Sequence, residues 1–84
     1  MDLRSDKFPD RLLVTVQGKR IDAASAIQFK DQMRALTADA PDRVILNLEQ
    51  VEFVDSSGLG AIVASMKQLA PEQKLELAAL SPTV

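Results

Sequence analysis

The segment Val44-Ile45-Leu46-Asn47-Leu48 constrains the fold more than any other part of the chain. It is short and almost continuously apolar. A run of that kind reads as a strand buried on both faces, as the central strands of parallel sheets are. Parallel neighbours must be joined by crossovers, which are usually helices. Helical patterns do flank this run on both sides. The 84 residues therefore read as one small α/β domain, a mixed sheet of about four strands with helices packed on it.

The remaining elements follow from local pattern. Residues 1–10 are polar and mixed in charge, and read as a loose lead-in to a domain spanning residues 11–84. Arg11 to Val16 is a β-rich run stopped by Gln17-Gly18. Gly18 to Ile21 holds a turn and a very short strand, and Asp22 has the chemistry of an N-cap. Ala26, Phe29, Met33 and Leu36 then recur at helical spacing, with Ala23 and Ile27 flanking them, and Pro41 lies beyond the end. After the cluster at Asp55 a second helix is expected, with Leu59, Ile62, Val63, Met66 and Leu69 on its buried face. Lys74 to Leu80 reads as a last strand. Ser81-Pro82 is a helix-start signal with no helix after it, so the domain reads as short of a final helix.

Composition removes several functions. The chain has no cysteine and no histidine. Disulfides and thiolate metal sites are therefore absent, and a histidine-based catalytic triad is impossible. No cofactor or metal site is expected, and the chain reads as non-enzymatic. The formal net charge is −2 and the ten basic residues are scattered, which argues against nucleic acid as a partner. The N-terminus lacks the apolar core of a signal peptide, and no apolar run approaches the length that spans a bilayer. A cytoplasmic protein without direct membrane insertion is expected.

The chemistry concentrates in Asp55-Ser56-Ser57-Gly58-Leu59-Gly60. The cluster follows an apolar run and opens a helical pattern, so two hydroxyls stand where a helix leaves N–H groups unpaired and its dipole is positive. A phosphate on Ser56 or Ser57 is tolerated there. Ordinary capping is the plain structural alternative, since Asp and Ser both favour N-caps. Counting three residues on from either serine gives Leu59 or Gly60, so no capping box exists. Two glycines in a first turn each weaken a helix by about 1 kcal/mol against alanine. They leave the backbone open to a kinase or partner, or Gly58 serves a tight turn. Gly58-Leu59-Gly60 lacks the third glycine of a dinucleotide fingerprint and the Lys-Ser/Thr of a P-loop. Asp22 precedes the first helix much as Asp55 precedes the second. In a parallel arrangement both lie on the strand C-terminal edge.

These residues carry a family resemblance. The run Val44 to Leu48, followed by Val51-Glu52-Phe53-Val54-Asp55-Ser56-Ser57-Gly58-Leu59-Gly60, resembles the signature of the STAS domain, nearest to bacterial anti-sigma factor antagonists. Gly18-Lys19-Arg20-Ile21-Asp22-Ala23-Ala24 resembles that family's loop before its first helix. Leu77 to Val84 resembles its last strand and the start of its final helix. Asn47 stands where the family often has aspartate.

The resemblance implies a regulatory switch. In that family an unphosphorylated antagonist binds an anti-sigma factor that is often also a serine kinase, and a sigma factor is released. Phosphorylation of the serine after the aspartate ends binding, and a serine phosphatase restores it. That serine matches Ser56, with Ser57 as the runner-up. Asp22, Asp55, Ser56, Ser57, Gly58, Leu59 and Gly60 would form the partner-binding surface. ATP and its metal would belong to the kinase. The alternative implied role is a STAS module serving as a regulatory subunit of a lipid or anion transporter, or a stress-signalling scaffold. A missing final helix would leave Leu75, Leu77 and Leu80 partly bare, a surface for self-association.

Overall fold

The computed structural model describes residues 2–78. Its elements run β1 (Asp2–Lys7), β2 (Arg11–Gln17), β3 (Arg20–Ile21), α1 (Ala26–Thr37), β4 (Arg43–Asn47), β5 (Phe53–Val54), α2 (Ser56–Lys67) and β6 (Lys74–Ala78). The main sheet has the order β1-β2-β4-β6, and β3 and β5 form a separate two-stranded sheet. β2, β4 and β6 are parallel neighbours, whereas β1 runs antiparallel to β2. The mixed four-stranded sheet with helices on it is the expected architecture.

Two of its strands differ from expectation. Residues 2–7 are not a loose lead-in but the edge strand β1, paired with β2 from Asp2↔Gln17 to Lys7↔Leu12. Its polarity has a physical cause, because charged residues on an edge strand deter pairing with other chains. Leu3 packs against the core. Gln32 of α1 covers part of the edge, its Oε1 accepting from the Leu3 N–H at 3.1 Å. The short strand at Arg20–Ile21, in turn, pairs with β5 through Arg20↔Phe53 and Ile21↔Val54 instead of joining the main sheet.

β4 is central, but only one of its faces is fully buried. Val44, Leu46 and Leu48 are inaccessible, and Ile45 and Asn47 on the other face are half-buried. β2 alternates in the same sense, with Leu12, Val14 and Val16 buried. The core therefore lies on one side of the sheet, against Phe29 and Met33 of α1 and Ala61 and Ile62 of α2. The last strand is described as far as Ala78. The expected extension to Leu80 and the Ser81-Pro82 helix start lie outside the described residues. Leu77 is exposed and Leu75 half-buried. On the outer face Arg43 Nε meets Glu76 Oε2 at 2.7 Å, joining β4 to β6. That hydrogen bond holds the Glu76 carboxyl below its ordinary pKa.

The second helix buries a different face from the expected one. Gly58, Ala61, Ile62 and Ser65 point inward. Leu59, Val63 and Met66 are 58%, 40% and 38% exposed. Of the expected face, only Ile62 is buried and Leu69 half-buried. The reason is space. At Gly58 α2 lies against β3, and a Cβ there would collide with the Ile21 carbonyl. Small residues one and two turns on allow equally close approach, and the larger side chains are displaced to the outer wall. Ser65 satisfies its buried hydroxyl by donating to the Ala61 carbonyl at 2.9 Å.

The two glycines of α2 therefore respond oppositely to alanine. Gly58→Ala forces backbone apart and is expected to lower unfolding stability by about 2 kcal/mol, within the range for overpacked cores. A Cβ at Gly60 meets nothing, so Gly60→Ala is expected to raise stability by up to about 1 kcal/mol through helix propensity. Urea unfolding of the two variants measures both signs.

Candidate functional site

The parallel pairing of β3 with β5 builds the site. Ile21 is opposite Val54, so the residues that follow them, Asp22 and Asp55, emerge side by side. The backbone joins them as well, since the Asp55 N–H donates to the Ile21 carbonyl at 3.2 Å. The proximity expected for Asp22 and the Ser56 segment is thus realised, although through the small sheet and not the large one.

Asp55 is the N-cap of α2. Its Oδ1 accepts from the Gly58 N–H at 2.7 Å, and its carbonyl accepts the first intrahelical bond, from the Leu59 N–H at 2.9 Å. Its other oxygen, Oδ2, accepts from the Ala23 N–H at 3.2 Å. One carboxylate therefore caps the helix and pins the loop that carries Asp22. A carboxylate at this position also complements the positive end of the helix dipole.

With the cap supplied by Asp55, the serines are relieved of that task. Ser56 and Ser57 are the first two residues of α2 and both are exposed. Among the described residues neither hydroxyl makes a hydrogen bond. The same is not true of Ser25, which the sequence pattern did not single out. Asp22 was expected to cap α1, yet the N-cap position belongs to Ser25. Asp22 instead closes a tight turn: its Oδ1 accepts from the Ser25 N–H at 3.3 Å and from the Ser25 hydroxyl at 3.2 Å. The Asp22 N–H donates back to Ser25 Oγ at 3.1 Å. The spacing of three between an aspartate and a serine was the available signal.

The remaining site residues divide. Leu59 and Gly60 are exposed beside the serines, whereas Gly58 is buried under Ile21 and offers its backbone to the fold and not to solvent. A groove of about 310 Å³ opens next to Ser56, lined by Leu48, Val54, Asp55, Leu59, Ile62 and Leu77. Its walls are mainly aliphatic and Ser56 stands at its rim. Alongside Asp22 on the small sheet lies a pair that the sequence reading missed. The Arg20 guanidinium lies 4.9 Å over the Phe53 ring, and its Nε is 3.6 Å from Asp22 Oδ2. Phe53 is 45% exposed. The strand register Arg20↔Phe53, absent from the linear sequence, is what brings the two together.

At Asn47 the departure from aspartate is neutral in geometry. Its Oδ1 accepts from the Glu49 N–H at 2.9 Å, a turn-forming bond that an aspartate oxygen makes equally well. No helix among the described residues is long and apolar enough to cross a membrane.

This combination of sheet order, small side sheet and aspartate-capped serine helix belongs to a known class. The chain is a member of the STAS domain family, whose model matches residues 3–84. Several of the proteins it resembles are named as anti-sigma factor antagonists. It is 32% identical, over 100% of its length and 72% of the relative's, to the Bordetella bronchiseptica protein BtrV, named as a candidate anti-sigma factor antagonist. Its fold is similar to the crystal structure of an anti-sigma factor antagonist from Mycobacterium paratuberculosis (25% identity, TM-score 0.85, covering 99% of this chain and 70% of that one). It is similar also to the anti-sigma factor antagonist SpoIIAA in its unphosphorylated form (22% identity, TM-score 0.73, covering 98% and 76%). A further structure records the Bacillus SpoIIAA in a phosphorylated form (20% identity, TM-score 0.69, the same coverage).

The division of labour within the cluster is measurable. Asp55→Ala removes the cap and the tie to Ala23 and is expected to lower stability by about 1–2 kcal/mol, with faster amide exchange at Gly58 and Ala23. Ser56→Ala removes an exposed, unbonded hydroxyl and is expected to change stability by less than about 0.5 kcal/mol. Urea titration with hydrogen exchange by NMR reads both.

Proposed function

We propose that this chain is a phosphorylation-controlled antagonist of an anti-sigma factor. In the unphosphorylated form it binds an anti-sigma factor that is also a serine kinase, and a sigma factor is released. Phosphate on Ser56 ends the binding, and a serine phosphatase restores it. The chain itself carries no catalytic step.

The observation that carries the reading is the state of Ser56. Its hydroxyl is exposed at the first position of α2, while Asp55 performs the capping that a serine there would otherwise do. A phosphate therefore adds to the surface without breaking a hydrogen bond of the Ser56 hydroxyl. It also stands at the positive end of the helix dipole, where a dianion is accommodated. The switch acts on docking and leaves the fold intact.

The physical basis of release is charge. At a docked surface the new dianion would be desolvated close to Asp55 and Asp22. Burying charge without compensation costs several kcal/mol, and each 1.4 kcal/mol is tenfold in affinity. The outward-facing Leu59 supplies apolar area next to the modified residue, so partner contact and phosphate compete for one patch.

Host lysate with labelled ATP tests the assignment. Phosphate is expected on wild type and on Ser57→Ala, and to be absent from Ser56→Ala. Mass-spectrometric mapping to Ser57 would move the switch by one residue. Captured on a column, wild type is expected to retain an ATP-binding kinase, and chain carrying encoded phosphoserine at 56 to retain at least tenfold less. Equal retention by both forms would rule out the switch. Thermal unfolding of the two forms should agree within a few degrees.

A further inference from the structure

The geometry points to Arg20 as the moving part of the Ser56 switch: when Ser56 carries a phosphate, the Arg20 guanidinium leaves Asp22 and the Phe53 ring and pairs with the phosphate. This rests on the reading of Ser56 as the modified residue, and adds to it a residue and a rearrangement.

Placement comes first. Side chains alternate along a strand, and Ile21 is buried, so Arg20 projects on the opposite, outer side of the small sheet. The ring of Phe53, its cross-strand neighbour, lies under the guanidinium. From there the side chain leans along β3 to Asp22, two residues on. That direction is toward the strand C-terminal ends, where β5 passes through Asp55 into Ser56. Arg20 is level with Phe53 on the neighbouring strand, three residues before Ser56, a separation of about 10 Å along the strands and about 5 Å across them, about 11 Å in all. An extended arginine reaching forward and a phosphoserine reaching back together cover that gap.

The present contacts of Arg20 are weak. The ion pair is a single approach at 3.6 Å, with the Arg20 side chain 65% exposed. Asp22 is also committed elsewhere, to Ser25. The stack is on a ring that is itself open to solvent. A phosphate offers more: up to two negative charges, three acceptor oxygens and a geometry that the guanidinium fork meets with two parallel hydrogen bonds. The charged groups at this end of the molecule are Arg20, Asp22 and Asp55, with Lys19 and Glu52 a step back where β3 and β5 begin. Three further ion pairs lie away from this end, at Arg4–Asp6, Arg11–Asp10 and Arg43–Glu76.

The consequence is a rearranged surface and not only an added charge. Before phosphorylation the partner meets a Phe53 ring covered by a guanidinium and an Asp22 partly neutralised by it. Afterwards the ring face is bare and Asp22 stands without that cation. A partner fitted to the first surface loses two contacts besides meeting a dianion.

The test uses full-length chain with phosphoserine encoded at 56, so no kinase is required. The second ionisation of the phosphate, ordinarily near pH 6, is followed by phosphorus NMR. A neighbouring guanidinium favours the dianion, so the wild-type midpoint is expected to lie roughly half a pH unit lower than in Arg20→Gln. Arg4→Gln, which removes the same charge from β1, is expected to leave the midpoint in place. The Arg20 side-chain N–H resonance is expected to shift with the same midpoint as the phosphorus signal. Equal midpoints in wild type and Arg20→Gln, with an unmoved Arg20 resonance, would overturn the inference. A host that never modifies Ser56 would instead sink the functional reading and leave the Arg20 result standing.

Discussion

The end of this domain that carries Asp22, Asp55 and Ser56 depends on one contact, the seating of α2 on the backbone of Ile21. Only a residue without a Cβ fits between the helix and that carbonyl, and Gly58 is the residue. Once the helix is seated, Asp55 can reach two N–H groups at once, that of Gly58 in its own helix and that of Ala23 in the neighbouring loop. The two acidic loops are thereby fastened together. The serines that open α2 are left on the surface, with their hydroxyls uncommitted among the described residues.

The same close approach explains the outer wall of the helix. Gly58, Ala61, Ile62 and Ser65 form the inward face, and three of the four are small. Little apolar area is hidden on that side, while Leu59, Val63 and Met66 remain in water at successive turns. These three side chains line the exposed wall of α2. Leu59, three residues after Ser56, also lines the aliphatic groove beside that serine. The proposed antagonist role uses this adjacency, because one phosphate then stands at the edge of the apolar contact that it would disrupt.

What could be read from the chain followed the strength of each local pattern. The runs Arg11–Val16 and Val44–Leu48 were legible as strands, because apolar β-formers of that length have few other uses, and the structure pairs them in parallel. The aspartate-serine-glycine cluster was legible as a helix start for the same kind of reason. β1 was hidden because an edge strand carries charges for protection and so resembles a loop. The face of α2 was misread because a three–four spacing of large apolar residues ordinarily marks the core. In this helix the spacing of the small residues held that information instead. Asp22 looked like a cap, but its turn to Ser25 placed α1 three residues later.

By itself the sequence determined the fold class, the existence and order of both helices, the absence of histidine and cysteine chemistry, and the serine pair as the place of interest. Each of those depends on residue type and short-range spacing alone. The tertiary structure decided which carboxylate caps α2, which face of that helix is buried, and which side chains share a surface with Ser56. Those outcomes depend on the register of β3 against β5. That pairing joins residues more than thirty positions apart, and no local pattern encodes it. It set Arg20 on Phe53 and Asp22 beside Asp55, and so made one site from two loops.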